Sequence, residues 1–409
     1  MVGGLAIAAG AAAAPSAALT PSSRGGFPPW FAGPLAALPG VGLSKAGAWL
    51  LLAAMGACYL AVLGLAGSVT PRAAVAAIGF LHLVFALAPP LLSTDLFGYL
   101  AAARVGALEG LSPYSAGAGA LAGDPVSPYL VWRSRPNPYG PLFTVATYPL
   151  ASLSVAGGLW TIKALTAAAS LGTVALVWRA ARGLGRDPVP AALYVGLNPL
   201  LVVWGVGGGH NDLPMMLLVT GAVALLVGRR DVLGGATMAG AAAIKASAGL
   251  LLPPLIIGAH RRGRALAGVV AGGTLALLLA VAVVGPAVAE LPAELGRQAD
   301  LVSVYGPAQL AGEALGLGGA TPGVRLAGTL TVIAALGLLC VRVWRGGDPI
   351  AAAGWTVLVA LAATAWLMPW YVIWVLPLAA LATPGRALRA ATLGLCAFIV
   401  ATRASLPVL

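Results

Sequence analysis

Residues 261–285 read RRGRALAGVVAGGTLALLLAVAVVG. The three arginines precede a run from Ala265 to Gly285 that contains no charged residue, and about 20 apolar residues suffice for a helix to cross a bilayer. Apolar and polar residues do not alternate in this run, as they would in a strand of a membrane barrel. The stretch therefore predicts a membrane-spanning helix with a basic end.

The rest of the chain has the same character. Of the 409 residues, 60% are hydrophobic and only 8% are charged, whereas soluble proteins carry about 25% charged residues. This composition excludes a soluble enzyme, a disulfide-rich secreted domain and a disordered chain. The abundance of alanine and glycine favours closely packed helices, because small side chains let backbones approach each other.

Thirteen apolar segments predict an all-α integral membrane protein, a multi-pass bundle that forms one domain over residues 1–409. The predicted spans are 3–19, 46–67, 74–92, 159–179, 189–206, 212–228, 232–244, 247–259, 264–286, 324–343, 350–367, 371–383 and 389–406. Three of them are short, and two of these are expected to be half-helices that meet around Lys245. A signal peptide is the alternative for the first segment, but the segment lacks the basic residues that precede a signal's apolar run.

The net charge of +12 does not indicate a nucleic-acid partner, because basic residues cluster between the apolar runs. Such clusters mark cytoplasmic helix ends. They comprise Arg72; Arg179, Arg182 and Arg186; Arg229 and Arg230; Arg261, Arg262 and Arg264; Arg342 and Arg345; Arg386 and Arg389. With all of them inside, the N-terminus is cytoplasmic and the C-terminus is outside. The three cysteines show no metal-binding spacing.

Two long segments, 93–158 and 287–323, then fall on the outer face. The first contains STDLFGYLAAARVGALEGLSPYS (93–115) and DPVSPYLVWRSRPNPYGPLF (124–143). Loops of this length are usually functional or disordered. Asp95 is expected to begin a helix lying along the membrane surface, and its plainer interpretation is a helix N-cap. The aromatic second half suits the headgroup level.

Three further motifs stand at or within the membrane. GGGHNDLPM (207–215) puts His210, Asn211 and Asp212 in succession, either as a polar pocket or as a helix N-cap. Lys245 in AAAIKASAGLLLPP (241–254) is a functional candidate because a charge at membrane depth costs about 2.5–3.5 kcal/mol, whereas Lys163 is expected to snorkel to an interface. WLMPWYVIW (366–374) fits an interfacial aromatic belt.

Five strings occur in order and together carry a resemblance. They are TDLFGYLAAARVGALEGLSPY (94–114), DPVSPYLVWRSRPNPYGP (124–141), GGGHNDLPMMLL (207–218), AAIKASAGLLLPP (242–254) and MPWYVIWVLPLAAL (368–381). From about residue 46 onward the chain resembles the polyprenol-phosphate-mannose-dependent α-(1→6)-mannosyltransferases of the actinobacterial envelope, the Mpt type. These multi-pass enzymes belong to the GT-C superfamily.

The resemblance implies a polyprenyl-phosphate-mannose donor, an acceptor mannan on a lipid anchor, inversion at the sugar carbon and an active site on the outer face. It also implies that Asp95 acts as the base. No cofactor is expected, and the resemblance does not require a metal. The residues expected to bind substrate are Arg133, Arg135, Tyr139, His210, Asn211, Asp212, Lys245, Asp124, Trp370 and Tyr371. Because a polyprenyl phosphate leaves as a stable anion, one base and a few cations suffice.

Other interpretations stay open at this stage. A pentosyl transferase, such as an arabinosyl transferase, would use the same machinery with another polyprenyl-phosphate sugar. A transporter or lipid flippase would explain Lys245 and the many spans, but not the long outer loop or the lack of repeats. An inactive assembly partner would tolerate loss of Asp95 and His210. A divalent cation held by Asp95, Asp124 and Asp212 is a further alternative.

Overall fold

A computed structural model of the chain describes residues 1–13, 29–37 and 43–403. Regular structure in this part is helical, with no β-strand, which confirms the predicted all-α class. The α-helices are α1 (Val2–Ala13), α2 (Pro29–Ala32), α3 (Lys45–Gly64), α4 (Pro71–Leu87), α5 (Asp95–Ala107), α6 (Pro141–Thr147), α7 (Val155–Gly183), α8 (Pro188–Gly196), α9 (Asp212–Val227), α10 (Asp231–Ile244), α11 (Leu252–Ile257), α12 (Arg262–Val284), α13 (Leu291–Ala299), α14 (Pro307–Ala314), α15 (Pro322–Trp344), α16 (Pro349–Ala363), α17 (Leu376–Leu381) and α18 (Arg386–Arg403).

Shorter segments of tighter or wider helix join several of them. A π-helical segment, Leu201–Val206, follows α8, and 3-10 segments precede α11 and α17 at Ala246–Leu251 and Pro369–Trp374. The two 3-10 segments coincide with the short predicted spans 247–259 and 371–383, whereas the π-helical segment lies within the predicted span 189–206. The predicted break also occurs where expected: α10 ends at Ile244, and Lys245 is extended with φ −151° and ψ 123°.

Serine and threonine caps set where the apolar runs become helical. Ser44, Thr70, Ser154 and Thr321 each accept a hydrogen bond from a backbone N–H in the first turn of α3, α4, α7 and α15. Such caps satisfy N–H groups that the helix leaves without partners. Parts of the predicted spans 3–19 and 389–406 lie outside the described residues.

Four helices, α3, α7, α12 and α15, are each long and apolar enough to cross a membrane. In α15 none of the most apolar window is buried inside the protein, and Leu330, Ile333 and Leu338 are exposed. A helix whose apolar side chains face outward along its length needs a lipid environment. The chain is therefore a membrane protein.

Helices α7, α9, α10 and α12 pack side by side in that order, α7 against α9, α9 against α10 and α10 against α12. The backbones of α10 and α12 touch: a Cβ at Gly235 would collide with the carbonyl oxygen of Ala265, and one at Gly268 with that of Val232. The predicted close packing through small residues is confirmed at this helix pair.

The segment 93–158, predicted to lie on the outer face, is folded and not an open loop. The prediction that a helix begins at Asp95 is confirmed, and Leu96, Tyr99 and Leu100 of this helix, α5, are buried inside the protein. They pack against α7 through Leu159 in a separate hydrophobic cluster. α5 carries apolar residues on all its faces, which favours its burial between α6 and α7.

The second outer segment lies beside the first. Tyr114 is fully buried between Ala280 of α12 and Val288. Its hydroxyl donates to the carbonyl oxygen of Tyr139 at 3.1 Å and lies 3.0 Å from Thr144 Oγ1. The packing of Tyr114 therefore links residues 287–323 to the loop that carries Tyr139.

Candidate functional site

A cavity of about 350 Å³ opens where both outer segments meet the broken helices. Its walls come from the start of α5, the loop 130–139, the break at residues 245–247, α13 and the segment 366–374. This volume falls within the range of small-molecule sites, about 300–1,000 Å³. Five segments that are far apart in the sequence thus meet at one place.

Asp95 stands in the cavity wall at the first position of α5. Its side chain is 20% exposed, and its Oδ2 lies 3.3 Å from the hydroxyl of Tyr139, which donates to it, and 3.3 Å from Nδ1 of His210. Its backbone N–H donates to Ser93 Oγ at 3.2 Å. The carboxylate is held by two long contacts and keeps room for a ligand.

The surroundings of Asp95 favour its charged form. Burial raises the pKa of this carboxyl. The contact with His210 and the charges of His210 and Lys245 together lower the pKa by more than burial raises it, so the net pKa lies below the ordinary value. Burial, together with the charge of Asp95, raises the pKa of Tyr139 well above its usual range. At neutral pH the pair is a carboxylate and a neutral phenol that donates to it.

Asp212 is the second carboxylate of the site and is completely buried at the start of α9. Its Oδ1 accepts from Lys245 Nζ at 2.7 Å and also from the indole N–H of Trp374. Within the described chain Oδ2 has no partner. Asp212 is thus an enclosed counter-charge for Lys245.

Lys245 reaches Asp212 because the polypeptide leaves helical geometry at that residue. Its ammonium group lies 6.0, 5.3 and 5.4 Å from the ring centres of Tyr139, Tyr371 and Trp374. Rings at these distances attract a cation. The side chain is 16% exposed and lines the cavity, so a fixed positive charge faces any bound ligand.

A glycine contact places the outer loop on this break. The N–H of Gly140 donates to the carbonyl oxygen of Ile244 at 2.9 Å. A side chain at Gly140 would collide with the carbonyl oxygen of Ala243. Only glycine permits this approach, and it brings Tyr139 next to Lys245.

The triple glycine before His210 has a comparable role. Gly209 has φ +66°, a region that favours glycine, and it packs against Leu96.

Lys163 donates to the carbonyl oxygens of Gly207 at 2.7 Å and Phe85 at 3.0 Å. Lys163 is fully buried, so the expectation that it snorkels is wrong: carbonyl groups at the end of α4 and at Gly207 satisfy its ammonium group locally.

His210 and Asn211 are also fully buried. The imidazole stacks on the indole of Trp370, with ring centres 3.8 Å apart and planes 17° from parallel. Asn211 donates its N–H to the hydroxyl of Tyr99 at 3.2 Å, and its side chain makes no N-cap hydrogen bond in α9. The N-cap interpretation of this motif is therefore wrong.

The aromatic segment 366–374 turns inward. Trp370 is 6% exposed, and Tyr371 stacks on Trp374 with ring centres 4.3 Å apart. All three line the cavity. The interpretation as an interfacial belt is wrong for these residues, because His210 and Lys245 offer closer partners than lipid headgroups.

The other predicted binding residues occupy different surroundings. Both carboxylate oxygens of Asp124 accept from Arg104 Nε, at 2.9 and 2.8 Å. Arg133 donates to the carbonyl oxygen of Ser127 in its own loop. Neither lines the cavity. Arg135 does, with its guanidinium 5.5 Å from the ring of Trp132.

A cation site made of Asp95, Asp124 and Asp212 does not form. Asp124 is paired with Arg104 and Asp212 with Lys245. Among the described residues, no group of three or more histidine, cysteine, aspartate or glutamate side chains is arranged to hold a metal ion. The charges that face the cavity are Asp95, Lys245 and Arg135.

Sequence reasoning missed three residues of this region. Trp374 and Tyr99 lie within the motifs 366–374 and 93–115 but are not predicted as site residues, and Lys163 is predicted to reach an interface. A signal existed for Lys163, since a lysine in an apolar run is unusual. No local signal reveals that Tyr99 meets Asn211, which lies 112 positions away.

Comparisons with known proteins agree over most of the chain. Residues 1–261 match a family described as alpha-(1->6)-mannopyranosyltransferase, N-terminal domain, and residues 307–405 match the MptB C-terminal domain. Alpha-(1->6)-mannopyranosyltransferase A of Mycobacterium tuberculosis is 32% identical over 77% of this chain, and a second alpha-(1->6)-mannopyranosyltransferase of that organism is 29% identical over 73%. Alpha-(1->6)-mannopyranosyltransferase A of Corynebacterium glutamicum is 32% identical over 42% of this chain and 36% of its own length.

The chain is shorter than these relatives: the matches cover 66% and 64% of the two mycobacterial proteins. No solved structure matches.

Proposed function

The chain belongs to the family of alpha-(1->6)-mannopyranosyltransferases, and from that premise we propose that it transfers mannose from a polyprenyl phosphate to a hydroxyl group of an α-(1→6)-mannan on a lipid anchor. The acceptor oxygen would attack the anomeric carbon while the bond to the phosphate breaks. The configuration at that carbon inverts, and the acceptor loses a proton.

The observation that carries this proposal is the unequal state of the two carboxylates. Asp95 faces the cavity, whereas Asp212 is enclosed and paired with Lys245. A glycosidase needs two working carboxyl groups, one of them an acid for a poor leaving group. A phosphate leaves as an anion, so transfer from it needs one base, and Asp95 is ionised and accessible for that role.

Lys245 and Arg135 are the cavity-facing cations that would stabilise the departing phosphate. Arginine offers two parallel N–H donors, and lysine offers a compact charge. Tyr139 and His210 would hold the carboxylate of Asp95 towards the acceptor. Trp370 and Tyr371 would contact the sugar, and Asn211 would position Asp95 and His210 through Tyr99.

We further propose thirteen membrane crossings, with the N-terminus in the cytoplasm and the cavity on the outer side, in the manner of GT-C enzymes. The distribution of charge supports this arrangement. Arg186, Arg230 and Arg261 follow or precede the ends of α7, α10 and α12 that are remote from the cavity.

The experiment uses the full chain in membranes with a short α-(1→6)-mannan acceptor and radiolabelled polyprenyl-phosphate sugars, mannose beside arabinose. Wild type and Glu109→Gln, which alters an exposed carboxylate just beyond α5, should both transfer mannose. Asp95→Asn should not, at equal protein level. Transfer by Asp95→Asn would overturn the role of Asp95, and transfer of arabinose alone would overturn the choice of donor.

A further inference from the structure

A second cavity, of about 490 Å³, lies between α3, α8, α17 and α18. Arg186, Asp187 and Arg389 line it together with Tyr194, Leu63 and Leu393. It shares no residue with the cavity that contains Asp95. Its lining combines positive charge with apolar helix surface.

Two runs of chain connect the cavities. The run 188–206 begins beside Asp187 and ends just before His210, and the run 369–381 begins at Pro369, beside Trp370, and ends beside Arg186. The first run consists of α8 and a π-helical segment with a break between them, and at no more than about 1.5 Å per residue it spans up to roughly 28 Å, a length comparable to the thickness of a bilayer's hydrocarbon core. The second cavity therefore stands at the opposite membrane face.

The guanidinium of Arg186 is fixed in this cavity. Its Nη1 donates to the carbonyl oxygen of Ala382 and to Thr383 Oγ1, and its Nη2 donates to the carbonyl oxygens of Ala380 and Leu381. These acceptors are at the end of α17, where carbonyl groups lack helical partners. Arg186 therefore presents a positive charge to the cavity from a fixed position.

Arg389 lies near Arg186 and differs from it. Within the described chain its guanidinium makes no hydrogen bond or ion pair. The nearby carboxylates are already engaged, since Asp187 accepts from the N–H of Val189, and Asp348 accepts from those of Ile350 and Thr383. Burial, and then the charge of Arg389, lower the pKa of Arg186. The cavity holds more positive charge than its own carboxylates balance.

Apolar surface continues from the cavity to the outside of the bundle. Leu63 belongs to α3, whose neighbouring Leu60 and Leu65 are exposed. Leu393 lines the other side. A ligand that fits must carry an anionic group for the guanidinium and hydrocarbon for these walls.

We propose that this cavity binds the phosphate of an anionic phospholipid, with Arg389 as its main contact and the acyl chains along α3 and α18. Basic pockets between membrane helices on the cytoplasmic side suit anionic headgroups. Guanidinium and phosphate form parallel charge-assisted hydrogen bonds. The site is separate from sugar transfer and stands without it.

The test is native mass spectrometry of the full chain in a neutral detergent, titrated with phosphatidylglycerol. Arg389→Gln should weaken the bound lipid about tenfold or more, because a hydrogen-bonded charge is lost, and Arg389→Lys should restore part of the affinity. Arg386→Gln is the matched control: it removes an exposed arginine one turn earlier on α18 and should bind like wild type.

Three results would overturn the proposal. They are equal binding by Arg389→Gln and wild type, equal loss in Arg389→Gln and Arg386→Gln, and binding of phosphatidylcholine as tight as that of phosphatidylglycerol. Inorganic phosphate is titrated separately. Competition by phosphate at concentrations comparable to the lipid would assign the site to a free anion and overturn the lipid source.

Discussion

The two carboxylates of the candidate site are held in opposite ways. Asp95 is 20% exposed and has contacts of 3.3 Å on one oxygen, whereas Asp212 is completely enclosed and has a contact of 2.7 Å to Lys245. The short contact of Oδ1 stabilises the structure around Asp212, and complete burial keeps the carboxylate, including its unpartnered Oδ2, out of contact with a ligand in the cavity. The contrast teaches that Asp212 builds the site while Asp95 is available for chemistry.

The largest expected effect is on stability, at the enclosed carboxylate. Asp212→Asn leaves the ammonium of Lys245 without its counter-charge and should lower the free energy of unfolding by about 3 kcal/mol or more. Thermal unfolding in detergent measures it. The double variant Asp212→Asn with Lys245→Met should recover much of the loss. Asp95→Asn should unfold near the wild-type temperature, and the contrast fails if the two aspartate variants are equally destabilised.

Gly140→Ala tests how much the structure around Lys245 depends on the close contact between Gly140 and the end of α10. A methyl group there meets the carbonyl oxygen of Ala243, so we expect a loss of about 1–3 kcal/mol in the free energy of unfolding, accompanied by lower mannose transfer. Gly249→Ala is the control, because a Cβ at Gly249 has open space. Similar behaviour of both variants would show that the loop does not depend on this contact.

His210→Gln sharpens the contrast from the side of Asp95. Removing the imidazole removes the contact and charge that lower the pKa of Asp95, so that pKa should rise. More alkaline solution is then needed to ionise the base, and the acid limb of the pH profile of kcat/KM should move to higher pH. His260→Gln, at an exposed position, should leave the profile in place. An unmoved acid limb in His210→Gln would contradict the coupling.

The smallest effect on activity is expected at Arg133, which contacts neither Asp95 nor Asp212. Arg133 donates to carbonyl oxygens of its own loop and does not line the cavity. Arg133→Gln should therefore retain transfer activity within about twofold, whereas Arg135→Gln should lower it more, since hydrogen bonds to charged groups contribute about 1.5–3 kcal/mol. A loss in Arg133→Gln as large as in Arg135→Gln would place the phosphate elsewhere.

The sequence predicted the helices well because lipid imposes one requirement on every span. Apolar length and basic ends located α3, α12 and α15, and the charge of Lys245 located the break after α10. Helix ends were less accurate. α7 begins at Val155 and ends at Gly183, so it extends beyond the predicted 159–179 at both ends. Ser154 caps its first turn, and its last turn includes the polar residue Arg182.

The site was predictable as a set of motifs but not as a set of contacts. Lys245 stood out as a charge at membrane depth, His210 belonged to a polar run at a membrane boundary, and Asp95 was singled out by the family resemblance. Nothing local distinguished Asp124, whose partner Arg104 precedes it by 20 positions, from a ligand-binding carboxylate. Pairing of charges is a property of the folded chain, and that is why Asp124 and Arg133 were assigned to substrate.

The glycine contact between α10 and α12 bears on motion as well as on packing. Backbones that touch at Gly235 and Gly268 have no side chains between them to rearrange, so the two helices should move as one body. Lys245, directly after α10, is therefore expected to keep its position relative to these two helices. It forms the floor of the cavity in this sense. α13 follows α12 beyond Gly285, at φ +88°, and contributes Leu295 and Gln298 to the wall of the same cavity. Widening of the cavity for a bulky glycan must then come from the α13 side, with the floor as the fixed reference.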